Sequence, residues 1–162
     1  MQRFKREGAA LLVIDVQERL AAATRSEALE RVLNRTVAAI LGARALGMPI
    51  LLTEQYPKGL GPTMKAVKDA VGSGLAPIEK VDFSAWLPAV QQQLAARPNV
   101  LVIGMESHVC VFQTVRDLAA AGLTPWVAVD AVLSRTSVDQ EVGVRLCGDA
   151  GAVLTTVETA LF

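Results

Sequence analysis

Short apolar segments alternate along the chain with longer segments in which apolar residues recur at helical spacing. The first of them, Ala9–Val16 (AALLVIDV), is apolar almost throughout, which is typical of a strand buried on both faces. The same pattern predicts five further strands, at Pro49–Thr53, Pro77–Lys80, Asn99–Gly104, Trp126–Val129 and Ala152–Thr155. Continuous rather than alternating apolar character favours a parallel sheet, because helices cover both faces of such a sheet.

The longer segments predict helices that connect the strands. In Leu29–Leu46 the apolar residues share one helical face, and Gly47 is expected to cap the end of this helix. The other predicted helices are Thr63–Val71, Leu87–Ala96, Val109–Ala121 and Val138–Asp149. This alternation predicts a single α/β domain over residues 1–162, with three layers, a Rossmann-like parallel sheet and right-handed crossovers.

Composition narrows the function classes. Sixteen basic and 16 acidic residues give a formal net charge of zero, so nucleic acid is not expected as a partner. One histidine and two cysteines, without Cys-x-x-Cys or paired-histidine spacing, predict neither a disulfide framework nor a zinc site. We therefore expect a reduced, cytoplasmic protein without a metal or cofactor. The apolar stretch before Asp15 is too short for a signal peptide or a membrane span, so no membrane partner is expected.

Three reactive side chains fall at the carboxyl ends of predicted strands, where open parallel sheets bind their ligands. Asp15 follows the first strand, Lys80 ends the third, and Cys110 lies just after the fourth. Asp15 interrupts an apolar run, and its burial costs free energy unless a cation or hydrogen-bond donors meet it. The alternative for Asp15 is a turn or helix-capping role, which aspartate often has.

Cys110 is expected in the first turn of the helix after the fourth strand, with Ser107 as the N-cap. There the helix dipole would favour the thiolate, and backbone N–H groups could stabilise an oxyanion. The alternative is a small buried apolar side chain. His108 is rejected as the base because residues two apart on a helix face different directions, which leaves Asp15 and Lys80 to activate the thiol.

Other side chains give weaker signals. Residues 54–56 (EQY) follow the second strand, and they either contact a substrate or satisfy the hydrogen bonds of the loop. Phe83 and Trp86 either line a pocket or pack in the core. Cys147 lies in the middle of a helix beside apolar residues and is interpreted as a core residue.

Three segments resemble a known family: IDVQ around Asp15, EKVDFSAW around Lys80 and GMESHVCVFQTVRDL around Cys110. With TEQYPKGLGPT after the second strand, and in this order and spacing, they make the chain resemble the isochorismatase-like cysteine hydrolases over nearly its whole length. The resemblance implies a sheet order of 3-2-1-4-5-6. It also implies a triad in which Cys110 is the nucleophile, Asp15 the general base and Lys80 the supporting cation.

The resemblance further implies a cis peptide bond between Met105 and Glu106, and an oxyanion hole formed by the backbone N–H groups of Glu106 and Cys110. A homo-oligomer of two or more copies is also expected, because members of the family commonly assemble. The substrate pocket is expected among side chains at the same sheet edge, namely Gln17, Glu54, Gln55, Tyr56, Phe83, Trp86, Ser107 and His108.

Departures from better-known branches of the family narrow the expected reaction. Nicotinamidases of this fold hold a metal with histidines, and residues 53–61 contain none. Typical isochorismate hydrolases lack the cysteine, because cleavage of a vinyl ether needs no acyl-enzyme, so Cys110 argues against that substrate. The resemblance thus implies hydrolysis of a small-molecule amide or related C–N bond through a thioester. The alternatives are a vinyl-ether hydrolase that does not use the thiol and a non-catalytic binding or scaffold protein.

Overall fold

A six-stranded parallel sheet forms the middle layer of the structure, a computed structural model that describes residues 4–162. The strands are β1 (Ala9–Ile14), β2 (Ile50–Gln55), β3 (Ile78–Lys80), β4 (Asn99–Met105), β5 (Thr124–Leu133) and β6 (Val153–Thr155). Their order across the sheet is β3-β2-β1-β4-β5-β6, which confirms the predicted topology. The order reverses between β1 and β4, so the carboxyl ends of these two strands flank the crevice in which such sheets bind ligands.

Helices cover both faces of the sheet. They are α1 (Glu18–Ala22), α2 (Ser26–Ala45), α3 (Pro57–Leu60), α4 (Lys65–Val71), α5 (Pro88–Leu94), α6 (Phe112–Ala120), α7 (Ser137–Asp149) and α8 (Val157–Leu161), with a π-helical turn at Ser107–Val111 before α6. The sequence pattern did not predict α1, α3 and α8, because helices of four or five residues are too short to show a period. No helix within residues 4–162 has the length and apolar character needed to cross a membrane.

The two faces of the sheet bury separate apolar clusters, and β1 contributes to both. Leu11 and Val13 pack in the cluster that includes residues of α2, α4 and α8. Leu12 and Ile14 pack in the cluster that includes residues of α5, α6 and α7, Cys147 among them. Neighbouring residues of a strand point to opposite faces, so burial of both faces explains the unbroken apolar run that predicted this strand.

The fifth strand is longer than the sequence predicted. It continues past Val129 to Leu133 and includes Asp130, the charged residue at which the apolar pattern stops. The Asp130 carboxylate is tolerated there because it accepts a hydrogen bond of 2.9 Å from the Val157 N–H and lies 3.6 Å from the Arg35 guanidinium. The carboxyl end of β5 therefore lies four residues beyond the predicted end, at Leu133 instead of Val129. Ser134 and Arg135, rather than Asp130, follow the strand at the ligand-binding edge.

Candidate active site

Asp15 leaves β1 in a strained backbone conformation that turns its side chain into the protein. Its φ is 49°, in the left-handed region, and the residue is completely buried. One carboxylate oxygen, Oδ1, accepts a 2.7 Å hydrogen bond from the hydroxyl of Thr53 on β2. The alternative helix-capping role does not apply, because α1 begins at Glu18 and its N-cap residue is Gln17.

Lys80 reaches this carboxylate across the intervening strand. Its Nζ atom lies 2.7 Å from Asp15 Oδ2, and both side chains are fully buried. The ammonium also donates to Gln55 Oε1 at 2.7 Å and to the backbone carbonyls of Phe83 at 2.9 Å and Asp82 at 3.1 Å. The chain bends inward after β3, and this bend supplies the two carbonyls that help to hold the charge.

The electrostatic environment of Asp15 contains two opposing effects. Burial raises the pKa of the Asp15 carboxyl, because a desolvated carboxylate is costly. The positive charge of Lys80 and the hydrogen bonds from Lys80 and Thr53 act in the opposite direction and lower this pKa. The Asp15 carboxylate thus lies in a desolvated environment with the Lys80 ammonium directly beside it.

Cys110 lies in the π-helical turn that follows β4, and it is 5% exposed. The charges of the Asp15 carboxylate and of the Lys80 ammonium both act on the pKa of its thiol. Burial first, and the negative charge of Asp15 second, raise the pKa of the Cys110 thiol to about 12, although Lys80 acts to lower it. Burial and the neighbouring carboxylate thus act on the thiol pKa in the direction opposite to the expected effect of the helix dipole, which favours the thiolate.

Glu106 connects the π-helical turn that carries Cys110 to the segment after β5. The peptide bond between Met105 and Glu106 is cis. The Glu106 carboxylate accepts hydrogen bonds from Arg135, at 2.9 Å from Nε and 3.2 Å from Nη2, and the Arg135 backbone N–H lies 3.2 Å from the same carboxylate. Within residues 4–162 the backbone N–H of Glu106 donates no hydrogen bond, so it is available to a ligand.

Ser134, directly after β5, binds the other side of the turn. Its hydroxyl oxygen lies 2.5 Å from Ser107 Oγ, 3.1 Å from the Ser107 backbone nitrogen and 3.0 Å from His108 Nδ1. The expected N-cap role of Ser107 is wrong, since Glu106 is the N-cap residue of this turn and the Ser107 side chain contacts Ser134 instead. The Ser134 hydroxyl also holds the His108 ring in place through its contact with Nδ1.

Several side chains expected in the substrate pocket are used by the loop after β2. The Gln17 side chain, fully buried, donates to the carbonyls of Gln55 and Gly61 and accepts from the Gln55 N–H. The Glu54 carboxylate accepts from the backbone and the hydroxyl of Thr63, at 2.6 Å and 2.7 Å. Glu54 therefore follows the alternative given for residues 54–56, since it satisfies hydrogen bonds of the loop. Gln17, expected in the pocket, is used by the same loop, and Gln55 accepts a hydrogen bond from the Lys80 ammonium.

The aromatic residues of the expected pocket differ in environment. Tyr56 has a φ of 37° and is 54% exposed, and Phe83 is 53% exposed. Trp86 is partly buried against the apolar cluster that also contains Cys110. Tyr56 and Phe83 are thus exposed in the single chain, whereas Trp86 packs largely against the core.

Three residues of the site were not predicted from the sequence, namely Thr53, Ser134 and Arg135. Thr53 lies on β2 opposite Ile14, the residue before Asp15, and the predicted strand order could have indicated this position. Ser134 and Arg135 were missed because the end of β5 was placed at Val129. Within the described part of the chain, no group of three or more His, Cys, Asp or Glu residues could hold a metal ion.

Known proteins that resemble this chain in sequence are isochorismatase-domain proteins. The model of the isochorismatase domain matches residues 9–159. Isochorismatase domain-containing protein 2 of Bos taurus is 46% identical over 123 residues, which are 74% of this chain and 58% of that protein. The secreted isochorismatase effector Isc1 of Phytophthora sojae is 34% identical over 158 residues, 94% of this chain and 74% of the effector. The chain spans somewhat more than half the length of the first of these relatives.

Solved structures agree with the sequence relatives. The structure of the MAR1 ribonuclease from Caenorhabditis elegans superposes with a TM-score of 0.93 at 36% sequence identity. The match covers 99% of this chain and 82% of the nematode protein. The sheet order, the helices and the sequence matches therefore all indicate the same fold.

Proposed function

This chain belongs to the isochorismatase domain family of hydrolases, and on that premise we propose that it is a cysteine hydrolase of a small amide or related C–N bond. One observation carries the proposal: a buried thiol lies beside a buried Asp–Lys pair at the reversal of the sheet. A thiol nucleophile needs an adjacent base, and in this proposal Asp15 is that base. Lys80 compensates the negative charge that the reaction moves between Asp15 and Cys110.

The first step in this mechanism is attack on the substrate carbonyl. With a pKa of about 12 the Cys110 thiol is protonated at neutral pH, so Asp15 takes the proton as the sulfur attacks. A C–S bond forms while the electron pair of the carbonyl moves onto its oxygen. The oxyanion is stabilised by the backbone N–H groups of Glu106 and Cys110, and loss of one oxyanion-hole donor costs an unrelated hydrolase about 3–4 kcal/mol.

The second step breaks the C–N bond. The oxyanion collapses, the amine leaves, and Asp15 returns its proton to the departing nitrogen. The acyl group stays on Cys110 as a thioester. Water then attacks the thioester with Asp15 as the base, which releases the acid and restores the thiol.

A panel of amides and ureides tests the proposal. Mass spectrometry of the protein after rapid quenching should find the acyl group on the peptide that contains Cys110. The Cys110→Ala variant should give no adduct and no turnover. Turnover of a true substrate by Cys110→Ala, isochorismate included, would instead support a hydrolase that does not use the thiol, and no turnover by either protein would support a binding or scaffold protein.

RNA is the second substrate class to include in the same panel, because the similar nematode protein is a ribonuclease. RNA carries one negative charge per nucleotide, whereas this chain has a formal net charge of zero. The buried thiol and the Asp–Lys pair suit acyl chemistry better than cleavage of a phosphodiester. Cleavage of RNA that survives in Cys110→Ala would contradict the amide proposal.

We also propose that the protein acts as a homo-oligomer in the cytoplasm. Several large apolar side chains near the site are exposed, including Tyr56, Val81 and Phe83, the second at 76%. Exposed apolar groups of this kind are often covered by another subunit. Size-exclusion chromatography with light scattering tests the assembly, and fractionation of the producing cells tests the location.

A further inference from the structure

Glu106 has three polar groups, and the structure fixes two of them. Its carbonyl oxygen accepts hydrogen bonds from the N–H groups of Val109 and Val111, at 3.1 Å and 3.2 Å. Its carboxylate accepts hydrogen bonds from the guanidinium and from the backbone N–H of Arg135. The third group is the backbone N–H, which donates no hydrogen bond within residues 4–162 and which the proposed mechanism assigns to the oxyanion.

The Arg135 guanidinium holds the carboxylate as a fork. Its Nε atom binds Oε1 at 2.9 Å and its Nη2 atom binds Oε2 at 3.2 Å, so each carboxylate oxygen has its own donor. A bidentate pair of this kind fixes the geometry of its two partners as well as their charge. The pair therefore sets where Glu106 lies relative to the segment after β5.

The same pair balances a negative charge next to the proposed oxyanion donor. The Glu106 carboxylate belongs to the residue that supplies the N–H, and its side chain is 7% exposed. An uncompensated charge there would oppose the oxyanion, because like charges repel more strongly where little water screens them. Arg135 supplies the compensating positive charge from a side chain that is 56% exposed.

The residues that follow Glu106 are held by other contacts. The Ser107 N–H donates to the hydroxyl of Ser134 at 3.1 Å. Gly143 of α7 packs against the same residue, so closely that a Cβ atom at Gly143 would lie 2.6 Å from the carbonyl carbon of Ser107. Loss of the Arg135 side chain should therefore loosen Glu106 without displacing the rest of the π-helical turn.

We propose that Arg135 is a positioning residue for the step in which the oxyanion forms. Through the Glu106 carboxylate it holds the Glu106 N–H in place, and it compensates the charge that would oppose the oxyanion. This inference rests on the proposed function, because it requires attack of the Cys110 thiol on a carbonyl carbon. It adds a residue that acts through Glu106 rather than on the substrate itself.

Two reagents that modify the Cys110 thiol test this role. With p-nitrophenyl acetate, a C–S bond forms, the carbonyl electron pair moves onto oxygen, and Asp15 takes the thiol proton; the oxyanion then collapses, and p-nitrophenolate leaves an acetyl group on the sulfur. With iodomethane, a C–S bond forms, iodide leaves and Asp15 again takes the proton, but no oxyanion arises. Mass spectrometry of the peptide that contains Cys110 measures the rates of acetylation and methylation.

Replacement of Arg135 should affect the two reactions differently. We expect Arg135→Gln to slow acetylation by about tenfold to a hundredfold, as expected for a misplaced oxyanion donor, and to leave methylation unchanged. Arg116→Gln is the matched control, since Arg116 of α6 has a similar exposure of 54% and pairs with the Asp117 carboxylate. It should change neither rate.

A double-mutant cycle tests whether Arg135 acts through the Glu106 carboxylate. Glu106→Gln removes the charge and keeps the backbone N–H. In the Glu106→Gln protein, the further change Arg135→Gln should therefore slow acetylation by about threefold or less, because the two side chains are coupled. An equal loss with and without Glu106→Gln would overturn the inference.

The outcomes separate this inference from the hydrolase proposal. Equal slowing of acetylation and methylation in Arg135→Gln would indicate a general change in the turn, and unchanged acetylation would indicate no role; either result overturns the inference and leaves the hydrolase proposal standing. If the parent protein forms no acyl-Cys110 adduct with p-nitrophenyl acetate or with the amides and ureides of the panel, the hydrolase proposal itself fails, and the inference fails with it.

Discussion

Lys80 Nζ and Asp15 Oδ2 lie 2.7 Å apart, with both side chains completely removed from solvent. They come from strands separated by β2, and the pair therefore exists only because the sheet is assembled in its order of β3-β2-β1. A buried ion pair is weak support for stability, since desolvation of two charges offsets much of their attraction. In the proposed mechanism the pair instead serves the chemistry of Cys110.

The first prediction concerns the proposed nucleophile. Cys110→Ala should abolish amide hydrolysis while the protein keeps its fold, because alanine fills most of the volume of this small buried side chain. Activity and a circular-dichroism melting curve measure the two effects. Cys147→Ala is the control, since Cys147 is a completely buried cysteine outside the site, and it should retain turnover. Equal activity loss in both variants would contradict a specific role for Cys110.

The second prediction concerns the ion pair. Lys80→Met leaves the Asp15 carboxylate buried without a counter-ion, and we expect a loss of about 3–5 kcal/mol in the free energy of unfolding. Adding Asp15→Asn removes the uncompensated charge, so the double variant should lose less than the sum of the two single variants. Urea denaturation of the four proteins measures this coupling. Additive losses would show that the two groups do not interact.

The third prediction concerns the close approach of β1 and β4. Gly104 has a φ of 125°, and a Cβ atom there would overlap the carbonyl oxygen of Ile14, the residue before Asp15. Gly104→Ala should therefore destabilise the protein and lower turnover together, by separating the strands that bring Asp15 and Cys110 into contact.

Gly122→Ala is the matched control for this substitution. Gly122 also has a positive φ, 83°, but nothing lies within 4 Å of a Cβ placed there. Gly122→Ala should lower the free energy of unfolding only by the backbone strain of a non-glycine residue in the left-handed region, about 1–2 kcal/mol. Similar losses in stability and turnover for the two variants, in thermal unfolding and amide assays, would refute the steric explanation.

The fourth prediction concerns alkaline stability. Burial raises the pKa of Cys147 from 9.0 to about 12, and that of Cys110 is raised to a similar value. Between pH 9 and about pH 12 the unfolded chain releases thiol protons that the folded protein retains. The contribution of the two thiols to the free energy of unfolding is therefore fully present below pH 9 and is lost as the pH rises. Each thiol contributes a slope of up to about 1.4 kcal/mol per pH unit.

Cys147→Ala isolates the contribution of one thiol. Its free energy of unfolding, measured by urea denaturation at several pH values from 8 to 11, should fall less steeply above pH 9 than that of the parent protein. Identical slopes in the two proteins would mean that Cys147 titrates normally in the folded state.

The fifth prediction concerns the hydroxyl that binds the nucleophile turn. Ser134→Ala removes the partner of Ser107 and His108 and leaves buried polar groups unpaired, which costs about 1–3 kcal/mol. We expect kcat to fall more than KM rises, because the turn carries the reacting thiol. Ser73→Ala, at an exposed serine, should change neither quantity. Loss of stability with unchanged kcat would limit Ser134 to a structural role.

The local pattern of apolar and polar residues predicted the six strands and the longer helices, and β1 shows the physical reason. Its unbroken apolar run requires burial on both faces, and only a parallel sheet between helices provides that. The prediction failed at β5, where Asp130 ends the apolar pattern but not the strand. Its carboxylate is satisfied by Val157 and Arg35, which lie far away in sequence, so no local signal marked the continuation.

The sequence by itself determined the α/β class, the strand order through family resemblance, and the placement of Asp15, Lys80 and Cys110 at strand ends. The tertiary structure alone decided how these groups act on one another. It bends the chain after β3 so that two carbonyls hold the Lys80 ammonium, and it places a carboxylate and a dry environment around the Cys110 thiol. Protonation depends on desolvation and on charges within a few ångströms, and these are properties of the assembled fold rather than of any local segment.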